Sequence, residues 1–178
     1  MIVASQPYTH QAGHWTYGVW HCMPPRGTSR LHGWYPQTYL KRVLALFPDC
    51  HTILQCPSGV VTSPGVTVDL STGQGQCPCV QADATALPFR DKTFDLYIAD
   101  PPYTSQDAEK YGTPVFSVHR AMQEAYRVLR RGGYYALLHF SYPAYGKSRW
   151  ELVGLIGVLM GFQSNNRCPP NRCMRGLM

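Results

Sequence analysis

The chain has 178 residues, 44% of them hydrophobic, which suits one domain with a sizeable core. No apolar run reaches the length of a membrane span and the N-terminus lacks a signal-peptide pattern, so membrane and secreted classes are not expected and a cytoplasmic location is. A net charge of +6 and a pI near 9.0 favour a polyanionic partner, and seven cysteines without a secretory signal are expected to be reduced thiols.

Residues 1–31, with Pro7, Gly13, Gly18, Pro24, Pro25 and Gly27 among many rings, show no period. They read as an irregular N-terminal arm, with room for a short strand, whose Trp15 and Trp20 pack on the edge of the core. From Pro36 the pattern turns helical. Leu40, Val43, Leu44 and Phe47 recur at i, i+3, i+4 and i+7, Lys41 and Arg42 take the other face, and Pro48-Asp49 ends the helix. Thr52-Ile53-Leu54-Gln55-Cys56 reads as the first strand, and Pro57-Ser58-Gly59 as a tight turn after it. Val66-Thr67-Val68-Asp69-Leu70 is the second strand and closes on an acid. In nucleotide-binding α/β folds an acid at that point accepts from ribose hydroxyls, because one carboxylate takes two donors; a helix or turn cap is the competing role. Residues 71–78 are glycine-rich and show no helix, so this crossover reads as trimmed. Val80-Gln81-Ala82-Asp83-Ala84 follows as a third, short strand, and Asp91-Lys92-Thr93 as a turn into the next.

Phe94-Asp95-Leu96-Tyr97-Ile98-Ala99 reads as a buried strand, stopped at once by Asp100-Pro101-Pro102-Tyr103. The prolines lack the ladder donor and fix φ, so an acid and a ring sit on a stiff turn at the strand's C-terminal end, the edge where open α/β sheets bind ligands. Polar residues 104–112 read as a mobile lid or acceptor-binding loop. Thr113-Pro114 is expected to start a helix that buries Val118, Ala121, Met122, Ala125, Val128 and Leu129 and ends at Gly132-Gly133. Arg127, Arg130 and Arg131 near its last turn are assigned to the negative end of the helix dipole rather than to nucleic acid. Tyr134 to Phe140 is the fifth strand, with His139 a satisfied core histidine, and residues 141–146 offer Tyr142 and Tyr145 as stacking rings on the same edge. Trp150 to Met160 reads as a last helix, or a helix passing into a strand. A tail over 161–178 carries Arg167, Arg172 and Arg175. Neither Cys77-Pro78-Cys79 nor Cys168…Cys173 has the paired Cys-x-x-Cys spacing of a structural zinc site, and no metal is expected.

Asp100-Pro101-Pro102-Tyr103 resembles the catalytic motif of class I S-adenosylmethionine (SAM)-dependent amino-methyltransferases of the DPPY type, which methylate exocyclic amines of DNA or RNA bases and, in some branches, protein side-chain amides. Asp83-Ala84 followed by Leu87-Pro88-Phe89 resembles another signature of that family, and Asp69, Asp83 and Asp100 close three strands in the family's order. His32-Gly33-Trp34-Tyr35-Pro36 is similar to the segment that helps hold the methionine end of SAM. The resemblance covers roughly residues 32–160 and implies a Rossmann-like α/β fold, a mostly parallel twisted sheet with helices on both faces, in a single methyltransferase domain. It implies cofactor contacts at Cys56, Pro57, Ser58, Gly59, Asp69, Leu70, Asp83, Ala84 and Asp100. Asp69 would take the ribose and Asp83 the adenine amine. One departure stands out: the family's turn after the first strand has an acid and several glycines, and here only Gly59 is present, with no acid before it.

For catalysis the resemblance implies that Asp100 and the Pro101 carbonyl accept the two hydrogens of the target amine, on a turn stiffened by Pro102, while Tyr103 stacks on the base; transfer needs no metal. The leading acceptor is N6 of adenine in DNA, with RNA next; a protein amide methyltransferase and a non-catalytic SAM-binding or partner-binding module are the alternatives. The span from Asp83 to Asp100 holds no separate target-recognition region. Specificity is then expected to be weak, built from loops 1–30, 104–112 and 141–149, or supplied by a homodimer or partner subunit.

Overall fold

The computed structural model describes residues 9–23, 33–72, 76–160 and 174–177, the last four and Met160 as backbone only. Its strands are β1 (Thr9–Ala12), β2 (Trp15–Cys22), β3 (Ile53–Gln55), β4 (Val66–Asp69), β5 (Val80–Gln81), β6 (Phe94–Ala99), β7 (Leu129–His139), β8 (Gly154–Met160) and β9 (Met174–Leu177). The helices are α1 (Tyr39–Leu46), α2 (Ser105–Tyr111) and α3 (Val118–Val128). All nine strands join one sheet in the order β1-β2-β8-β9-β7-β6-β3-β4-β5. β3, β4, β5, β6 and β7 run parallel, and β9 is antiparallel to both β7 and β8. The fold is the expected Rossmann-like α/β arrangement.

The central strands are buried on both faces. Leu54, Leu96, Ile98, Leu137 and Leu138 are fully buried, each side chain contributing roughly 2 kcal/mol from lost apolar exposure. α3 covers one face, packing Ala121, Met122, Ala125 and Val128 on Leu54, Tyr97 and Leu137. α1 covers the other, with Tyr39, Val43 and Leu46 on Ile53, Leu96, Ile98, Ala136, Leu138, Ile156 and Val158. From β3 the chain steps outward to β4 and β5, then returns to β6 on the other side. That reversal between β3 and β6 opens a crevice at their C-terminal ends.

Several elements differ from the sequence expectation. The N-terminal arm holds a hairpin, β1-β2, and β2 pairs in parallel with β8 from Thr16↔Gly154 to Cys22↔Met160. Trp20 is then a fully buried core residue, while Trp15 is 39% exposed. Of the stretch expected as a helix or a helix passing into a strand, residues 154–160 are a strand and 150–153 form no helix; an adjacent strand from nearer the N-terminus gives the 154–160 backbone its ladder.

Residues 105–111 are a helix where a loop was expected. Thr104 caps it by accepting from the Asp107 N–H (3.0 Å), and Gly112 closes it in the left-handed region, φ 64°. α3 starts at Ser117, whose Oγ accepts from the Arg120 N–H, not at Thr113-Pro114; the Thr113 N–H is bound to the Ala108 carbonyl at the end of α2. It ends at Val128. Gly132-Gly133 lies inside β7 instead, where the register jumps from Phe94↔Leu129 to Leu96↔Tyr134. Gly132, at φ 77°, accommodates that bulge. His32, Cys168, Cys173, Arg167 and Arg172 lie outside the described residues. Among the described residues no helix is long and apolar enough to cross a membrane.

Candidate active site

The crevice is a cleft of about 470 Å³, a size that suits a small-molecule ligand. Its lining brings together the sequence-predicted residues Cys56, Pro57, Ser58, Gly59, Asp69, Leu70, Asp83, Ala84, Asp100, Pro101, Pro102 and Tyr103. Gly33, Trp34, Tyr35 and Pro36 form one wall. α2 adds Asp107 and Tyr111, from the stretch expected to be a lid or acceptor-binding loop, and the extended stretch before α3 and the first turn of α3 add Thr113, Phe116 and Arg120, which sequence reasoning did not assign to the site.

Asp69 ends β4 almost fully buried. Its Oδ2 accepts from the Gly59 N–H (2.8 Å) and its Oδ1 from the Ser71 N–H (3.0 Å). Both bonds come from neutral backbone donors, which fix the carboxylate and leave lone pairs for a ligand. Asp83 is exposed, and its Oδ1 accepts from the Thr85 N–H and Oγ1 (2.8 and 2.9 Å). Both bonds fall on one oxygen, so the other can still take a donor.

The turn Pro57-Ser58-Gly59 lines the cleft and also packs against the wall segment. Gly59 sits at φ 57°, and a Cβ there would lie 2.1 Å from the Gly33 carbonyl oxygen. Gly33 is equally constrained, since its Cβ would meet the Gly59 Cα at 2.9 Å. The close approach that Gly59 serves is therefore to the Gly33 backbone, which locks the wall segment onto the turn. Cys56, at the base of the turn, is buried, and burial pushes its thiol up to about 12.

Two buried hydroxyls on the lining, Tyr35 OH and Ser58 Oγ, have no hydrogen-bond partner among the described residues. An unmet buried polar group costs about 1–3 kcal/mol, so a cleft with two of them is built to receive polar atoms from outside the chain. Burial, and next the nearby Asp100 charge, hold the Tyr35 hydroxyl pKa well above its usual value, so it stays a proton donor. Hydroxyl donors, a fixed carboxylate and a second acid fit a nucleoside carrying an amino-acid chain.

Asp100 stands just past β6, half-buried, with Pro101 buried behind it. The Tyr103 hydroxyl donates to Asp100 Oδ1. Its ring packs edge-on to His139 (5.2 Å, 87°) and to Phe140 (5.9 Å, 69°). His139 is 8% exposed, bonded through Nδ1 to Ser141, and burial lowers its pKa. It stacks on Phe140 at 4.8 Å. Tyr142 and Tyr145 meet each other edge-on in the neighbouring loop.

A model of the methyltransferase domain matches residues 38–137, more than half of the chain, and that span runs from α1 to β7 through each strand that ends at the cleft. The chain belongs to the methyltransferase-domain family. No curated protein matches it. The family typically uses SAM, and this methyltransferase is accordingly a SAM-dependent one in class.

The loop that carries Asp83 and Ala84 is held to α3 by a staple the sequence did not reveal. Arg127 donates to the Leu87 and Phe89 carbonyls (2.9 and 2.7 Å), to Asp91 (2.8 Å) and to Glu124, while Glu124 accepts from the Leu87 N–H (2.8 Å). Arg127 is structural, as expected: it lies in the last turn of α3 and makes these bonds as well.

Proposed function

We propose that this methyltransferase moves the methyl group of SAM to an exocyclic amine of a nucleic-acid base, with N6 of adenine in DNA as the leading acceptor. The observation that carries this reading is the placement of Asp100-Pro101-Pro102-Tyr103 in the same cleft as Asp69 and Asp83. When bound, the cofactor supplies a methyl group on a positively charged sulfur. Asp69 would hold ribose hydroxyls, Asp83 the adenine amine, and Tyr35 and Ser58 would give their hydroxyls to polar groups of the same ligand.

An exocyclic amine is a weak nucleophile because its lone pair is spread into the ring. A carboxylate accepting one of its hydrogens, with the Pro101 carbonyl accepting the other, favours a pyramidal nitrogen with a localised lone pair. This is alignment and electrostatic stabilisation, with no covalent intermediate. Asp100 already accepts from a neutral donor, the Tyr103 hydroxyl, so an incoming amine takes over a position the carboxylate is built to fill. Tyr103 would stack on the base, backed by the exposed Phe140 ring 5.9 Å away, a contact worth about 1–3 kcal/mol. A base in a duplex must first leave the stack.

The test is transfer of labelled methyl from SAM to duplex DNA, single-stranded DNA, RNA and a protein extract, with Asp100→Ala as control. Label on DNA that appears as N6-methyladenine after digestion, and that is lost in the variant, is the expected result. Label on RNA or protein alone would replace the acceptor, and retained turnover in Asp100→Ala would remove Asp100 from the chemistry.

A further inference from the structure

The thiols of this chain fall into two kinds. Cys22 and Cys56 are buried and Cys50 partly so, and burial raises all three, Cys50 to about 11 and Cys56 to about 12. Such thiols are poor nucleophiles at neutral pH, because the thiolate is the reactive form. Cys77 and Cys79, with Pro78 between them, are both exposed and both free. Among the described residues no group of three His, Cys, Asp or Glu side chains could hold a metal, which leaves thiol chemistry for this pair.

The backbone keeps the two close. Two residues of extended chain span about 7 Å, and Pro78, with φ fixed near about −65°, holds the segment short of full extension. The Cα atoms are then no further apart than a disulfide can bridge. Cys79 is placed to react first. The hydroxyl of Thr67, a fully buried residue of β4, accepts from the Cys79 N–H (3.0 Å) and donates to its Sγ (3.4 Å). A fixed hydroxyl donor favours sulfur in its charged form, and this bond lowers the Cys79 thiol below its usual value.

We infer that Cys77 and Cys79 are a redox-active dithiol at the rim of the cleft, closed to a disulfide by exchange with a small disulfide such as glutathione disulfide. The Cys79 thiolate attacks one sulfur of glutathione disulfide, releases one glutathione thiolate and stays bonded to the other glutathione. The Cys77 thiol then loses its proton and attacks the Cys79 sulfur. The bond to glutathione breaks, the Cys77–Cys79 bond forms and the second glutathione leaves as thiolate. Two protein thiols are oxidised, and one glutathione disulfide is reduced to two thiols. An exposed disulfide is of the labile kind, so excess reduced glutathione reopens it. The ring adjoins the lining: Gln76 precedes Cys77, and Ala82 and Asp83 follow β5. Closure is expected to shift Gln76 and to weaken SAM binding about fivefold. That consequence rests on the SAM reading of the cleft; the thiol couple itself does not.

The test is to equilibrate the full chain with mixtures of reduced and oxidised glutathione, denature it in an alkylating reagent and cut it with trypsin. Residues 43–90 form one tryptic peptide that holds Cys50, Cys56, Cys77 and Cys79. From oxidising mixtures it should emerge two hydrogens lighter, with Cys77 and Cys79 unlabelled and Cys50 and Cys56 labelled. Cys77→Ser should keep glutathione on Cys79, because no second thiol resolves it, and Cys79→Ser should be modified about tenfold more slowly. Calorimetry with SAM on the reduced and oxidised forms measures the effect on the cleft. Thiols that stay reduced overturn the inference, as do glutathione that remains on Cys79 of the wild type and a cross-link from this peptide to Cys168 or Cys173. Equal SAM affinity in the two forms overturns the link to the cleft, whereas SAM binding to neither form counts against the cofactor reading alone.

Discussion

At the N-terminal ends of β6 and β7 charges are met by opposite charges and by backbone. Asp95 Oδ2 accepts from the His51 N–H and from the Thr52 N–H and Oγ1, while its Oδ1 accepts from Arg130 at 2.8 Å. Those bonds, the Thr52 hydroxyl first, hold its carboxyl down at about 2. Arg127, Glu124 and Asp91 form a second such knot nearby. At the opposite ends of the strands, among the described residues, Asp69 and Asp83 take neutral donors alone, and two buried hydroxyls have no partner. One end is complete without a ligand. The other is preorganised and waits for one, and this difference says where stability and where function reside.

The sharpest contrast comes from removing one acid at each end. Asp100→Ala is expected to lower methyl transfer by about 10³-fold, the scale for losing a group aimed at developing charge. Its melting temperature should not fall; a large fall would place Asp100 with the structural end. Asp95→Asn should do the reverse, lowering stability by about 2 kcal/mol with SAM affinity unchanged. The folded-state pKa of Asp95 is depressed, so its contribution is fully present above the unfolded value of about 3.9 and is lost as pH falls toward about 2. Urea unfolding of wild type and variant should therefore differ at pH 7 and converge in acid. Equal stability at pH 7 would show that the Asp95 cluster does not hold the sheet.

Much of this division was legible in the sequence because it is local. An apolar run ending in an acid and then a proline or glycine turn places Asp69 and Asp100 without knowledge of any neighbour strand. Thr104…Asp107 and Gly112 were equally legible as caps for α2, but the polar composition between them suggested a loop. Other features depend on contacts that no window of sequence contains. β8 is a strand because β2 lies beside it, Gly59 is a glycine because Gly33 crosses it, and Gly132-Gly133 serves a bulge against β6. The arm was read as irregular since its rings alternate between buried Trp20 and exposed Trp15 and Tyr17 only once the sheet exists. Tyr35 was seen as part of a wall segment, but its unmet hydroxyl became visible only in the packed cleft.

That hydroxyl gives the next test. Tyr35→Phe removes one oxygen and keeps the ring packed against Tyr39 at 5.3 Å. A group that serves only the fold should lose stability when its hydrogen bond is lost, whereas Tyr35 has none to lose among the described residues. The variant's stability without ligand is expected to hold or to rise by up to about 1 kcal/mol, while SAM binding weakens about tenfold. Calorimetry and thermal melting separate the two. Tight SAM binding by Tyr35→Phe would send the unmet hydroxyl to a buried water instead.

The smallest effect is expected at Tyr103, where the two ends of the argument meet on one residue. Its ring rests on His139 and Phe140, as a structural side chain would, yet its hydroxyl occupies the carboxylate that the acceptor amine is to use. Tyr103→Phe keeps the first contact and deletes the second. An amine replaces a hydroxyl donor one for one, so only the difference between two similar hydrogen bonds is at stake. The acceptor KM should fall about threefold, with kcat within about twofold of wild type, when methyl transfer is measured under saturating SAM. A large loss of kcat instead would mean that the hydroxyl holds Asp100 in its working orientation, and Tyr103 would then belong wholly to the catalytic end.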